Sequence, residues 1–427
     1  MTAHRLPRLL IPRLPMYYGW IVLGCLCCAG FSRQGGAVAT LSIFVEPMTR
    51  NFGWSRTALS GAVSLGGVLA ALTAPALGQV LDRHGPRLVL CGVVLLTGAA
   101  DLLLSLTASL PMFYALFCVA RMNFGAGFDL GIYGGVNNWF VAGRARATAI
   151  ATLAQMAGLV ALPLIAQAAM QHGGWRAGWL GVGTAVLLVG LPPAWLLLVG
   201  RPEEVGLVPD QRAVRPASRG SVSASQAVPG AARIQAEPAF SRHEALRTRS
   251  FWLLCLFTLF AYPVQAGVSL HQAPYLIERG LSPAVAAGVV SFFSLMSGVS
   301  SLAFGFFPRR LPIRYALVLV GVCLFVGTFG LLRVVTARDA FLAAAMFGAG
   351  IGGLLTMLPL AWADYFGRRS FGAIRGVALP VQVLAQASGP LLSGVLRDWT
   401  GAYDRSLECF VVLSGAAALA ALFARQP

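Results

Sequence analysis

Lysine is absent from this sequence, and charged residues of any kind are scarce. All 32 basic residues are arginines, 15 residues are acidic, and charged residues make up 11% of the 427 positions. Without lysine there is no Walker-type nucleotide-binding loop, which excludes an ATP-driven machine. Because 57% of the residues are hydrophobic, lipid is the expected surrounding of most side chains, and a water-soluble fold is excluded.

The sequence also lacks the patterns of a metal, disulfide or catalytic site. The eight cysteines lie in apolar segments, and Cys25, Cys27 and Cys28 have no histidine beside them, so we interpret them as packing residues and predict no metal. No nucleophile motif or catalytic carboxylate pair occurs, which predicts that the chain is not an enzyme and needs no cofactor. The net charge of +17 does not indicate a nucleic-acid partner, because the arginines stand in loops between apolar segments.

Twelve hydrophobic segments, each long enough to cross a bilayer as a helix, follow one another in two groups of six. We therefore predict an all-α membrane protein of twelve transmembrane helices in two six-helix halves. The predicted domains are a tail (1–16), a first half (17–200), a linker (201–249) and a second half (250–427). The predicted spans are 20–44, 57–80, 88–106, 112–137, 145–169, 177–198, 251–277, 284–307, 315–335, 341–365, 371–396 and 407–423.

The arginines are distributed unequally between the two sides of these spans. With a cytoplasmic N terminus, 22 arginines, Arg375 among them, lie on the cytoplasmic side and eight on the other. The positive-inside rule predicts a bacterial inner-membrane protein with both termini and the linker in the cytoplasm. The linker is rich in Ser, Ala, Pro and Arg and is predicted to be flexible. Its last residues, 242–249, form either a basic amphipathic helix on the membrane or a solvated approach to the seventh span.

The two halves repeat a sequence pattern. The segment FGAG at 124–127 in the fourth span recurs at 347–350 in the tenth, and each copy is followed by an arginine-rich loop and a helix containing glutamine and proline. Two related halves in the same orientation predict a parallel repeat, with a solute site between the halves near the middle of the membrane.

Several motifs resemble a known family. The segment from Gly78 to Arg87, GQVLDRHGPR, resembles the signature loop of the major facilitator superfamily, and the segment 121–127 resembles its fourth-helix motif. The segments 17–20, 52–56 and 365–369 resemble the bacterial monocarboxylate-porter and oxalate/formate-antiporter type. The resemblance covers nearly the whole chain and implies transport of small organic anions, often with a proton. Porters of this type often carry an arginine in the eighth span, whereas 284–307 has no charge here.

The resemblance implies a gate at the loop between the second and third spans. Asp82 is expected to accept hydrogen bonds from a neighbouring helix end or arginine in the outward-facing state and to release them as the halves rock. Arg83 and Arg87 are the other residues expected to take part in this gate. The alternative is a solvated acid in a loop that carries positive charge for topology.

Three charged residues, Arg33, Arg121 and Asp129, are predicted to lie inside spans, where a charge costs about 3 kcal/mol and faces a cavity or a partner. Arg33 precedes Gly35 and Gly36, which predicts a loosened helix and a carboxylate-binding guanidinium. Its alternative is a buried pair with Asp129 or bonds to helix carbonyls. Arg121 and Asp129 either pair with each other as a strut or carry a proton.

Polar residues in the seventh span predict that this helix lines the cavity. Substrate contacts are predicted for Tyr262, Gln265 and His271, and for Asn123 in the fourth span, with a plain helix contact as the alternative for His271. Two acids near span ends, Asp101 and Glu278, are interpreted as solvated.

The leading hypothesis is a secondary transporter of a small organic anion, with alternating access and protons as the candidate coupling ion. Efflux of lipophilic or drug-like compounds is the second hypothesis, with Asp129 as the membrane-embedded acid. A membrane sensor or scaffold that keeps the fold without transport is the third. The other predicted partner is the lipid bilayer, and no nucleic acid is predicted.

Overall fold

The computed structural model describes residues 5–210, 240–306 and 311–427. Within these ranges the chain consists of helices and short connections, and no strand occurs in them. The all-α class predicted from the sequence is confirmed. Most of the linker predicted to be flexible, 211–239, lies outside the described residues. Six of the arginines counted for topology also lie outside them: Arg212, Arg215, Arg219, Arg233, Arg309 and Arg310.

Fourteen α-helices make up the described chain. They are α1 (Arg5–Leu10), α2 (Gly19–Ser32), α3 (Val38–Phe52), α4 (Arg56–Leu104), α5 (Leu110–Met122), α6 (Phe128–Trp139), α7 (Arg144–Leu196), α8 (Arg242–Arg247), α9 (Arg249–Glu278), α10 (Pro283–Gly305), α11 (Ile313–Leu332), α12 (Ala337–Phe366), α13 (Phe371–Thr400) and α14 (Asp404–Phe423). The short α8 begins with a capping box between Ser241 and Glu244, so a helix does form at the end of the linker.

Ten helical segments of the described chain are long and apolar enough to cross a membrane. Two of them, α4 with 49 residues and α7 with 53 residues, are each long enough for two crossings at about 1.5 Å per residue. Both are interrupted by glycines with non-helical backbone, Gly85 in α4 and the pair Gly173 and Gly174 in α7. Division of α4 and α7 at these glycines is compatible with the twelve predicted spans. The bounds of the individual spans and of the predicted domains stay predictions.

The turn inside α4 depends on the backbone of Gly85. Its φ of 77° lies in the left-handed region, where a residue with a side chain is strained. Pro86 follows directly, and proline fits the first turn of a helix because that position needs no N–H donor. This turn leaves Asp82 and Arg87 on its two sides.

Two spans lose regular α-helical geometry close to Arg33, Arg121 and Asp129, the charged residues predicted to lie inside the membrane. A 3-10 turn, Arg33–Gly36, separates α2 from α3, as the paired glycines predict. A π-helical stretch, Asn123–Gly127, separates α5 from α6. The two irregular segments touch, because Arg33 Nε donates to Phe124 O at 3.0 Å. A Cβ on Gly36 would also overlap the carbonyl oxygen of Ala120 in the adjoining α5. Irregular backbone inside a membrane is tolerated where it is buried in protein or lines a cavity.

The first described helix, α1, the C terminus and both described flanks of the linker lie at one end of the helix bundle, which we name the linker end. There Phe240 N donates to Phe366 O at 3.3 Å, and Gln426 donates to Asp364 O at 3.0 Å. The halves meet where α4 faces α13 and where α7 faces α10. Backbone contact between Gly78 and Gly372 is so close that a Cβ on either glycine would overlap the other's carbonyl oxygen. The two halves are therefore closed against each other at the linker end.

Candidate functional site

One aspartate at the centre of the bundle contacts arginines from both halves. Asp129 of α6 lies 3.8 Å from Nη1 of Arg33 and 3.3 Å from Nη2 of Arg375. The Asp129 side chain is 4% exposed, Arg375 is 1% exposed and Arg33 is 12% exposed. We name these three residues the arginine cluster. Its contact between Asp129 and Arg375 joins the first half to the second.

Arg375, which the sequence analysis counted among the arginines of the cytoplasmic side, has a buried side chain that contacts Asp129. Arg375 lies inside α13, and its Nη2 also donates to Gln382 Oε1 at 2.6 Å. Its Nε and Nη1 have no hydrogen-bond partner among the described residues. The seven-residue spacing of arginine and glutamine, two helical turns on one face, is the signal that could have identified a buried pair.

Arg33 contacts both Asp129 and a helix carbonyl, the two contacts that the sequence analysis gave as the alternative to carboxylate binding. Its Nε donates to the carbonyl oxygen of Phe124 at 3.0 Å and its Nη1 to Gln155 Oε1 at 2.7 Å, while Asp129 lies beside the same nitrogen. Gln155 in turn donates to Tyr133 Oη at 3.3 Å. These contacts hold the guanidinium in one orientation. The Arg33 side chain is 12% exposed, the largest exposed fraction in the arginine cluster.

Arg121 does not pair with Asp129, which corrects the strut alternative. Its Nη1 donates to Gly36 O at 3.4 Å, and its guanidinium lies 4.5 Å from the centre of the Phe124 ring. The guanidinium of Arg33 lies 4.6 Å from that ring. Two cations thus share one aromatic ring, and such contacts stabilise each by about 0.5–2 kcal/mol.

Four of the predicted substrate residues, three on α9 and one in the fourth span, have different surroundings. Tyr262 of α9 is buried and lies within electrostatic range of Arg375 and Asp129. Gln265, one turn further along α9, accepts a hydrogen bond from Gln386 of α13 at 3.2 Å. His271 lies among second-half helices instead, with Nε2 3.3 Å from Pro390 O. Asn123 is 1% exposed and donates to Thr97 of α4 at 3.1 Å, so it faces the interior of the first half.

The two acids interpreted as solvated have different surroundings. Glu278 is exposed and accepts a hydrogen bond from Arg397 at 2.8 Å, as a solvated acid does. Asp101 is 0% exposed, and neither of its carboxyl oxygens has a hydrogen-bond partner among the described residues. The solvated interpretation of Asp101 is therefore wrong, because α7 and the 3-10 turn cover it.

Asp82 has the geometry expected of a gate. Its Oδ1 accepts from Gly372 N at 2.8 Å and its Oδ2 from Ala373 N at 2.7 Å. Both donors belong to the first turn of α13, where backbone N–H groups lack helical partners and attract negative charge. Arg201 donates to the backbone oxygen of Asp82 at 2.9 Å. Asp82 thus links the halves at the linker end.

The two arginines of the same loop do not share this geometry. Arg83 is exposed. Arg87 donates to Trp195 O and lies 5.9 Å from the Trp195 ring, and both residues belong to the first half. Gating roles for Arg83 and Arg87 stay predictions.

A further layer of ion pairs at the linker end was not predicted from the sequence. Arg144 at the start of α7 lies 2.8 Å from Asp364 of α12. Arg368, just after α12, lies 2.7 Å from Glu203 and also donates to Asn138 O at 3.4 Å. From the centre outwards, the halves are therefore joined by Asp129, by Asp82 and by these surface pairs. The arginine-rich loops of the repeat supply the surface pairs.

Asp82→Asn is expected to lower the transport rate about tenfold and to leave the apparent substrate affinity unchanged. Asparagine keeps one acceptor oxygen, so one of the two charged hydrogen bonds to α13 is lost, and such a bond contributes about 1.5–3 kcal/mol. The lost hydrogen bond stabilises the conformation closed at the linker end, so the variant forms this closed conformation less readily in each transport cycle. Initial rates in reconstituted vesicles measure this, with Glu408→Gln, an exposed pair partner of Arg405, as the matched control. Equal rates for both variants would remove Asp82 from the gate.

Comparison with known proteins agrees with these observations. A sequence profile described as Major Facilitator Superfamily matches residues 22–390. The chain is 27% identical to the membrane sensor protein UhpC of Salmonella typhimurium over 359 residues, which cover 81% of this chain and 77% of that protein. It is 26% identical to the oxalate:formate antiporter of Oxalobacter formigenes, with 78% of this chain and 74% of that protein covered. It is 24% identical to human monocarboxylate transporter 7, with 91% and 82% covered.

Solved structures share the fold at low sequence identity. The proton:xylose symporter XylE bound to 6-bromo-6-deoxy-D-glucose superimposes with a TM-score of 0.68 at 13% identity, and 95% of each chain is covered. The transporter FucP in the outward conformation gives a TM-score of 0.69 at 12% identity, with 96% of this chain and 100% of that chain covered. Two of the three relatives are named as transporters and one as a membrane sensor, the fold is that of transporters of this superfamily, and neither comparison indicates an enzyme. The profile match over most of the sequence shows that this chain belongs to the major facilitator superfamily.

Proposed function

We propose that the protein is a secondary active transporter of a small carboxylate, which it moves by alternating access. The observation that carries this proposal is the charge at the centre of the bundle. Three arginines, Arg33, Arg121 and Arg375, lie there, and Asp129 is the carboxylate in contact with two of them. Inside a membrane, uncompensated positive charge is unfavourable and attracts an anion. The relatives named for oxalate, formate and monocarboxylate point to the same class of solute.

The arrangement suggests how a carboxylate is recognised. Asp129 contacts the guanidinium groups of Arg33 and Arg375 through its carboxylate, which is the chemical group that the proposed substrate also carries. An entering carboxylate meets Arg33 first, because that side chain is the more exposed arginine of the cluster. It then competes with Asp129, and Nε and Nη1 of Arg375, which have no hydrogen-bond partner among the described residues, offer further donors.

This competition connects binding to the movement of the halves. The contact between Asp129 and Arg375 joins the first half to the second. When the substrate takes over part of the arginine cluster, that contact weakens and opening at the linker end becomes easier. In the same step Asp82 releases the first turn of α13. Asp129 and Arg121 remain the proposed proton-coupling residues, since a proton on Asp129 frees both guanidinium groups for an anion.

The alternatives predict different chemistry. A carrier of lipophilic cations needs an acid without a cationic partner, whereas Asp129 already has two arginines. A sensor that does not transport is the second candidate function, and the 27% identity to a membrane sensor protein favours it over efflux. Transport itself distinguishes a sensor from a carrier.

The proposed orientation places the linker end in the cytoplasm of a bacterial cell. A reporter enzyme that is active only in the periplasm, inserted within 211–239, is expected to give no signal, because arginine-rich loops stay inside. The same reporter inserted after Gly401, at the opposite end of the bundle, provides the positive control. Periplasmic activity of the linker fusion would reverse the orientation.

Solute exchange in vesicles tests the proposed function. Purified protein is reconstituted, the vesicles are loaded with oxalate, formate or lactate, and uptake of the same labelled solute is followed, with a labelled lipophilic cation in parallel. We expect one or more carboxylates to exchange above protein-free vesicles and the cation not to exchange. Exchange of the cation alone would support efflux, and absence of all exchange would support the sensor.

A further inference from the structure

Asp101 is a buried acid for which the proposed transport cycle gives no role. It lies in the last turns of α4, is 0% exposed, and has no hydrogen-bond partner on either carboxyl oxygen among the described residues. Buried polar groups in proteins are nearly always paired, and an isolated buried carboxylate is among the least favourable of all. This acid therefore differs from Asp129, which two arginines compensate.

The surroundings of Asp101 are apolar or already occupied. A Cβ on Gly35 would overlap Asp101 Oδ2, and it would also touch Val186 of α7 and the methyl group of Thr97. The hydroxyl of Thr97 already accepts a hydrogen bond from Asn123 at 3.1 Å. Thus neither the turn, nor α7, nor the acid's own helix presents a cation to the carboxyl group.

Charged groups on the elements around Asp101 have their contacts elsewhere. Arg33, in the 3-10 turn, contacts Phe124, Gln155 and Asp129. Arg121, at the end of α5, contacts Gly36 and the Phe124 ring. Further arginines of α4 and α7 stand beside the glycine interruptions of these helices, where Arg87 contacts Trp195 and Arg176 lies 4.2 Å from the Trp175 ring.

We propose that Asp101 is a proton-binding site that carries its proton in the conformation closed at the linker end. A neutral carboxylic acid avoids the cost of burying a charge without a partner. In this state one carboxyl oxygen holds the proton as O–H. When the helices around it move apart, the carboxyl group meets water, the O–H bond breaks and the proton passes to a water molecule. The next proton comes from water before the site closes again.

The location of Gly35 connects this site to the arginine cluster, and this step rests on the proposed function. Gly35 lies two residues after Arg33 in the same 3-10 turn, so a carboxylate that pulls on Arg33 also moves the backbone that covers Asp101. Binding at one side of the turn thereby changes the access of water to the other side. This geometry couples the proton on Asp101 to the anion on Arg33.

Infrared spectroscopy of the purified protein tests the proton site without any substrate. Neutral carboxylic acids absorb through a C=O stretch that carboxylates lack and that shifts in deuterated water. At about pH 8, well above the range in which accessible carboxyl groups titrate, we expect a carboxylic-acid band in the wild type and in Asp129→Asn. We expect the band to be absent from Asp101→Asn. A wild type without the band, or a band that remains in Asp101→Asn, would overturn the proposal.

Two further measurements test whether Asp101→Asn folds normally and whether Asp101 takes part in transport. Asparagine has the shape of a neutral aspartic acid, so the melting temperature of Asp101→Asn is expected to match the wild type; a large drop would show that an ionised Asp101 has a partner. In exchange assays with oxalate or formate, the wild-type rate is expected to rise severalfold from about pH 8 to about pH 6, and that of Asp101→Asn, which keeps Asp129, is expected to rise less. The same pH dependence in both proteins would separate Asp101 from transport, even if the carboxylate exchange itself is present.

Discussion

Arg33→Gln is expected to weaken binding of a carboxylate about a hundredfold while the protein stays folded. The variant removes the guanidinium that is most accessible to a solute, and a charged hydrogen bond of this kind contributes up to about 3 kcal/mol. Folding is maintained because Asp129 keeps its closer contact with Arg375 at 3.3 Å. Arg33→Lys restores binding in part, since an ammonium group carries the charge but cannot hold Phe124 and a carboxylate in one planar fork.

Isothermal titration with an exchanged carboxylate measures this effect. Arg176→Gln is the matched control, because Arg176 is an exposed arginine that stacks on Trp175 away from the cluster. The control is expected to bind as the wild type does. If Arg33→Gln also binds with normal affinity, Arg33 is only a structural contact of Phe124 and Gln155.

Arg375→Gln is expected to cause the largest loss of stability of any single change discussed here. It leaves Asp129 buried with the more distant arginine at 3.8 Å, and breaking a buried ion pair costs about 3–5 kcal/mol. The double variant Arg375→Gln with Asp129→Asn removes both charges and is expected to recover part of that loss. Thermal unfolding of the purified proteins measures both steps as a double-mutant cycle.

Arg397→Gln provides the comparison for an exposed ion pair. Arg397 and Glu278 are 2.8 Å apart with side chains 43% and 35% exposed, so removal of the arginine is expected to change stability by less than about 1 kcal/mol. A melting temperature of Arg375→Gln equal to that of Arg397→Gln would mean that the arginine cluster does not hold the halves together.

The sequence predicted the helices well because their physical causes are local. Hydrophobic length indicates a span, and Gly85 with Pro86 indicates the turn between two spans. Gly35 and Gly36 likewise indicated the irregular turn beside Arg33. These features require no knowledge of the neighbouring helices. The motif at Asp82 also predicted a contact with a helix end, although the partner, α13, became known only from the fold.

The errors concern residues whose surroundings come from distant parts of the chain. The burial of Arg375 was missed because it depends on Asp129 of the other half, whereas the position of Arg375 after an arginine-rich loop indicates only the side of the membrane. Asp101 stands near the end of a span, and only the packing of Gly35 and Val186 closes it from water. The substrate contacts of His271 and Asn123 stay predictions, because the rotation of a helix about its axis depends on tertiary contacts.

A comparison of acids with their own amides tests the central claim of a carboxylate site most directly. Melting temperatures of the wild type and of Arg33→Gln are measured with oxalate and oxamide, formate and formamide, and lactate and lactamide, because a ligand that binds the folded state raises this temperature. The account predicts that at least one acid stabilises the wild type, that its amide does not, and that Arg33→Gln responds to neither. Equal stabilisation by an acid and its amide, or stabilisation by lipophilic cations alone, would contradict it.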